Sequence, residues 1–165
     1  LARDCLARAG RKLILPPDVT VAATADPAEM ATVEASDAIP ADRLSLDIGP
    51  QAGELFSRYV AAAQTTFWSG PMGVCEIPQY AEGTRAVALA LAASTGCTVV
   101  GGGDTAAAVR ALGILDSSFS HVSTGGGASL EYLSGARLPG LAVLQVESGP
   151  MPAARNTQLD SLPGP

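Results

Sequence analysis

The chain has 165 residues, 47% of them hydrophobic and 16% charged, with a formal net charge of −6. That is enough apolar sequence for one domain with a buried core and it excludes a disordered chain, while the acidic balance argues against a general nucleic-acid binder. No apolar run approaches the roughly 18 residues of a membrane span, and Cys5, Cys75 and Cys97, an odd set without metal-ligand spacing, point to free thiols in a reducing, cytoplasm-like compartment.

Leu1 to Ala9 has a helical apolar stripe that Gly10 stops. It reads as the tail of a longer helix, and with no methionine at its start the chain is expected to have residues upstream. Lys12 to Leu15 is a short apolar run closed by Pro16-Pro17, and Val19 to Thr24 is a second, β-rich run. Asp26 to Asp42 keeps no period and reads as an irregular excursion able to pair at a sheet edge. Arg43 to Ile48 reads as a strand, and Gly49-Pro50 opens a helix with proline where it is tolerated.

The helix from Pro50 to about Ala63 has the clearest periodicity, with Ala52, Leu55, Phe56, Tyr59, Val60 and Ala63 on one stripe expected to pack on a sheet. Thr65 to Trp68 is the next strand, followed by a turn at Ser69-Gly70-Pro71-Met72-Gly73-Val74. A helix from about Pro78 to Ala93 carries Tyr80, Thr84, Val87, Ala88 and Leu91 on one face. Then come two copies of one device: Cys97 to Val100 as strand, Gly101-Gly102-Gly103 as turn and Thr105 to Leu112 as helix; and Phe119 to Val122 as strand, Gly125-Gly126-Gly127 as turn and Ala128 onward as helix. The alternation predicts an α/β domain, a doubly wound, Rossmann-like parallel sheet with helices on both faces. Residues 145–165, rich in Pro, Gly, Ser and Asn, read as a disordered tail or linker after a domain spanning residues 1–144.

In such a sheet the loops at the carboxyl ends of adjacent strands share one rim, so both glycine turns are expected to face one ligand. Glycine lets backbone N–H groups approach closely, and a helix start adds unpaired donors and a positive dipole end, the chemistry of a phosphate site. Neither turn matches the Walker or dinucleotide patterns. Asp104 serves either as a helix cap or as a ligand to a hard cation riding on the phosphates. His121, the one histidine, reads as a structural strand residue, Trp68 as packing beneath the loop and Cys75 as inert packing. Glu131 reads as a helix cap or a partner to a surface arginine.

Trp68-Ser69-Gly70-Pro71-Met72-Gly73-Val74-Cys75-Glu76, Tyr80-Ala81-Glu82-Gly83-Thr84, Gly101-Gly102-Gly103-Asp104-Thr105, Ser123-Thr124-Gly125-Gly126-Gly127-Ala128-Ser129-Leu130-Glu131 and Leu138-Pro139-Gly140, in this order and spacing, resemble the successive signatures of phosphoglycerate kinases. The likeness reaches back through Leu46 to Pro50 and Ile14 to Asp18, and is to the latter part of the C-terminal, nucleotide-binding domain, so that the fold is expected to be an incomplete domain. It implies that Asp104 holds the magnesium of bound ADP or ATP and that Gly102, Gly103 and Thr105 line the phosphates. By the same likeness Ser69 lies near the phosphates, Glu76 binds the ribose, and Leu46, Pro71 and Val74 wall the adenine pocket. Gly125, Gly126 and Gly127 then sit at the phosphoryl group in transit, and 3-phosphoglycerate or 1,3-bisphosphoglycerate binds through an N-terminal domain absent from this sequence, in a monomeric parent enzyme of glycolysis.

Three departures bear on affinity. Ser69 stands where the family usually has asparagine, Ser45 where it has glycine, and Cys75 where it has phenylalanine. Lys12 is the one lysine, and no residue matches the family's phosphate-binding lysines. The chain by itself is therefore expected to be inactive, and a non-catalytic nucleotide-binding module is the rival reading.

Overall fold

The computed structural model describes residues 1–144; the expected tail lies outside the described residues. Residues Leu1–Leu130 form one compact unit and a second begins at Glu131. The elements, in chain order, are α1 (Ala2–Ala9), β1 (Asp18–Ala22), β2 (Thr32–Ala35), β3 (Leu44–Ile48), α2 (Pro50–Ala62), β4 (Thr65–Ser69), α3 (Glu82–Ala93), β5 (Cys97–Gly101), α4 (Gly103–Ala111), β6 (His121–Ser123), α5 (Gly126–Leu133) and α6 (Pro139–Ala142).

β4, β5 and β6 make a parallel sheet in that order, flanked by helices, which is the α/β class expected. Each connection runs through a helix, as parallel neighbours require. The register sets Ser69 against Gly101 and Gly101 against Ser123, so the three strands end level. The strand at Leu44–Ile48 stands outside that alternation. It pairs antiparallel with β1, and β1 pairs antiparallel with β2, giving a second sheet of order β2-β1-β3. β2 is the edge pairing anticipated inside the irregular excursion.

Several expectations need correction. The apolar run at Lys12–Leu15 forms no strand; residues 10–12 are a single 3-10 turn, and Leu13 and Leu15 stay exposed. The stripe of α2 lies mainly on α3 and only in part on a sheet, at β1. Small residues permit that contact: a Cβ at Gly53 would stand 3.5 Å from the Ala86 Cβ, and the Ser57 hydroxyl donates to the Gly53 carbonyl at 2.7 Å. The helix expected from Pro78 is a 3-10 turn, Pro78–Tyr80, that breaks before α3 begins at Glu82. β6 starts at His121 and not Phe119, which is buried in the core just before it.

Two apolar clusters hold the first unit. The larger joins Trp68 of β4, Val100 of β5, Val87, Ala88 and Leu91 of α3, Val60 of α2, Val109 of α4 and Phe119. Leu91, Val100 and Val109 are fully buried, each worth about 1.5–3 kcal/mol relative to exposure. The smaller cluster packs Ala22, Leu46 and Tyr80 with Val74 and Ile77, beneath the loop that follows β4.

Two aspartates tie these pieces together. Asp18 of β1 is 3% exposed and its carboxylate accepts the backbone N–H groups of Gln51 and Ala52 at 3.0 and 2.8 Å. It supplies the cap that Gly49, the N-cap residue of α2, lacks a side chain to make. Asp47 of β3 does the same for α3, accepting the Gly83 N–H at 2.8 Å and its neighbour Ile48 N–H at 2.8 Å.

Candidate functional site

The level ends of β4, β5 and β6 bring both glycine turns to one rim. The Gly102 N–H donates to the Ser123 carbonyl at 2.9 Å. A Cβ at Gly126 would come within 3.1 Å of the Gly102 Cα and 3.6 Å of the Ser69 hydroxyl. Glycine at 126 is thus what lets the two turns touch, and glycine at 102, with φ +100°, is what lets the chain enter α4. Ser69, Gly102 and Gly126 come together there.

Both helices start two residues before the expected positions, so their free N–H groups include those of the glycines themselves. In α4 the first intrahelical bond runs from the Ala106 N–H to the Gly102 carbonyl, which leaves the N–H groups of Gly103, Asp104 and Thr105 outside the helix ladder. In α5 the Ser129 N–H bonds the Gly125 carbonyl at 3.1 Å, leaving those of Gly126, Gly127 and Ala128. Two sets of donors and two positive dipole ends therefore open on one rim, a setting for a polyanion.

Asp104 does not cap. The N-cap of α4 is Gly102, without a side-chain cap bond, and Asp104 is the second helical residue, exposed in the first turn. Thr105 is 1% exposed; its hydroxyl donates to the Gly101 carbonyl at 2.9 Å and accepts the Gly70 N–H at 2.8 Å. What Thr105 can offer a ligand is its backbone N–H.

The Gly70–Ile77 loop carries Pro71, Val74 and Glu76. Three alternate amides anchor it on three elements: Gly70 N–H on Thr105 of α4, Met72 N–H on the Thr84 hydroxyl of α3 at 3.0 Å, and Val74 N–H on the Leu46 carbonyl of β3 at 2.8 Å. Pro71, between the first two, has no N–H to satisfy. The loop lies close on β3, since a Cβ at Gly73 would stand 2.5 Å from Asp47 Oδ1 and 2.6 Å from the Leu46 carbonyl oxygen. Leu46 and Val74 share the smaller core, Leu46 buried and Val74 half-buried, while Glu76 is exposed.

The field around the loop is acidic. Burial pushes the Cys75 thiol up, the Glu76 charge adds to that, and the carboxylates of Asp104 and Asp47 contribute further. Such a thiol is protonated and unreactive, in keeping with packing. Burial also raises the Asp47 carboxyl, more than the Gly83 and Ile48 N–H groups lower it, with Glu82 adding to the rise. Among the described residues no three His, Cys, Asp or Glu side chains come together as a metal cage. A cation at Asp104 would take its other ligands from phosphate oxygens and water, the habit of magnesium.

Of the remaining residues singled out, Trp68 is 4% exposed in the larger core, as expected of packing. His121 is exposed on β6 opposite Val99. Glu131 stands near the end of α5, too late to cap its start. Lys12 belongs to the turn before β1, on a different sheet from the rim. Sequence reading missed Asp18, Asp47 and Thr84 as anchors; a polar residue recurring inside an apolar strand or helix face was their one signal.

A family model of phosphoglycerate kinase matches residues 1–136. The chain belongs to the phosphoglycerate kinase family. It is 58% identical over 148 residues to the phosphoglycerate kinase of Frankia casuarinae and 61% identical over 145 residues to that of a Parafrankia species, covering in each case 87% of this chain and 36% of the relative. Among solved structures, phosphoglycerate kinase from Coxiella burnetii superposes with a TM-score of 0.79 at 41% identity, over 87% of this chain and 38% of that one. The enzyme from Pyrococcus horikoshii gives 0.75 at 30% identity, over 87% and 35%. The chain thus spans about a third of the length of the phosphoglycerate kinases it matches.

Proposed function

We propose that this chain is the magnesium–nucleotide half-site of a phosphoglycerate kinase, from the latter part of the C-terminal domain of that enzyme. The parent reaction moves a phosphoryl group between 1,3-bisphosphoglycerate and ADP: the acyl phosphate P–O bond breaks as a bond forms from phosphorus to the terminal oxygen of ADP. Such a transfer needs little covalent help and depends on positioned donors and a metal that meet the charge on the moving group.

The observation that carries this reading is the contact of Gly102 with Gly126, which turns two helix starts onto one rim beside an exposed aspartate that caps nothing. In the proposed complex the N–H groups of Gly103, Asp104 and Thr105 hold the nucleotide phosphates and those of Gly126, Gly127 and Ala128 face the group in transit. Asp104 holds magnesium, whose charge offsets both the phosphates and the acidic surroundings of the loop. Leu46, Pro71 and Val74 wall the base, Glu76 takes the ribose hydroxyls, and Ser69 stands at the phosphates. The acid substrate and the phosphate-binding lysines belong to segments beyond this sequence, so the chain by itself binds nucleotide without turning it over.

Titration with ADP, with and without magnesium, followed by Trp68 fluorescence and by calorimetry, tests this. Binding should require magnesium, and Asp104→Ala should weaken it at least about tenfold, or about 1.4 kcal/mol. Equal heats with and without the aspartate would remove its assigned role. Absence of any binding would remove the nucleotide reading.

A further inference from the structure

Thr84 meets no ligand in the proposed complex, yet it is the third residue of α3, fully buried, and its hydroxyl accepts the Met72 N–H at 3.0 Å. Thr105 holds the equivalent place in α4, third from the start, and accepts the Gly70 N–H. Two helices following successive strands therefore each lend a buried hydroxyl to one loop, two residues apart. The first turn of α3 is itself fixed, because Gly83 donates to Asp47, and a Cβ at Gly83 would collide with Ile48 and Asp47. Asp47 in turn lies against Gly73 of the loop. Loop, helix start and strand end thus form one interlocked junction, with Thr84 as the link from helix to loop.

We propose that Thr84 is a positioning residue for nucleotide binding: without touching the ligand, its hydroxyl holds Met72 so that the Gly70–Ile77 loop presents Pro71, Val74 and Glu76 in binding shape. The inference rests on the nucleotide reading above and adds a residue to it. Thr84→Val keeps the volume and the β-branch and removes the acceptor, leaving the Met72 N–H unpaired. The loop is the weaker partner in this junction, since the other side of the bond is a helix start packed in the core, so it is the loop that shifts. Opening is local, in the manner of loops that unfold apart from the core.

The test compares the chain with its Thr84→Val and Thr84→Ser variants. Magnesium-ADP titration followed by Trp68 fluorescence should show a Kd raised about tenfold or more in Thr84→Val and within about threefold of the unsubstituted chain in Thr84→Ser, where the hydroxyl is restored. Amide hydrogen exchange, measured without nucleotide, should speed at residues 70–77 in Thr84→Val and keep its rates in β5. An unchanged Kd in Thr84→Val, in a chain that binds magnesium-ADP, would overturn this inference and leave the nucleotide reading standing. Exchange that speeds equally in β5 would also overturn it, because Thr84 would then be a general stabiliser. A chain that binds no nucleotide overturns the reading on which it rests, and the exchange arm separately shows whether Thr84 anchors the loop.

Discussion

Asp18→Ala tests how far one buried carboxylate carries the packing of α2. The side chain is 3% exposed and accepts two N–H groups of the first turn of α2, at 3.0 and 2.8 Å. A hydrogen bond to a charged acceptor is worth about 1.5–3 kcal/mol, and a negative charge at a helix start adds about 0.3–1 kcal/mol. Water can replace the carboxylate at Gln51, which is exposed, but not readily at Ala52, which is fully buried. The net loss is therefore about 2–4 kcal/mol. With a urea slope of about 1.5–2 kcal/mol/M, the midpoint falls by about 1–2.5 M, and the melting temperature by about 4–16 °C. Asp18→Asn keeps one acceptor oxygen and turns an amide toward a donor, so it should fall between the two. Urea and thermal unfolding followed by far-ultraviolet circular dichroism measure both variants. A loss below about 1 kcal/mol for Asp18→Ala would mean that the cap is dispensable and that contact with α3 holds α2 in place.

Three further outcomes are expected. Burial raises the Asp47 carboxyl above its ordinary value, so the stability tied to its protonation is fully present below the unfolded pKa and lost as pH climbs through the folded one. The stability of Asp47→Asn relative to the unsubstituted chain should accordingly rise from pH 3 to pH 7 in urea titrations, and a constant difference would contradict the raised value. Gly101→Ala drives a methyl group into the Phe67 ring and should cost about 1–3 kcal/mol in urea unfolding; an unchanged midpoint would mean the ring turns aside freely. Gly103→Ala and Gly127→Ala meet open space and, each within a helix, should raise stability by up to about 1 kcal/mol. Weaker magnesium-ADP binding in these two variants, with stability retained, would report a ligand approaching the backbone where the side chain now stands.

The strands β4, β5 and β6 and the helices α2, α4 and α5 were legible because each carries a local signal, an apolar stripe of helical spacing, a β-rich run, or glycines between them, whereas the break before α3 and the short α6 carry none. The rim was legible for the same reason, as two glycine turns after neighbouring strands. What escaped reading was non-local. The Asp18 cap on α2 joins residues 33 and 34 positions apart, and the link from Thr84 to Met72 crosses a loop whose path no periodicity fixes. The antiparallel pairing of β3 with β1 was hidden because an isolated five-residue strand carries no mark of its neighbour's direction. Asp104 was ambiguous between cap and ligand until the helix was seen to start at Gly103, with Gly102 as its N-cap.

The level ending of the three parallel strands sets where this chain can lengthen. At the carboxyl end a residue inserted into β5 would push Gly102 out of line with Ser69 and Gly126 and reverse the faces of the residues beyond it. At the opposite end Gly113, exposed, with φ +75° and nothing where a Cβ would stand, lies in the link from α4 to β6. A peptide tag or a fluorophore-bearing insertion belongs at Gly113, where it lengthens a connection without disturbing the register of the rim.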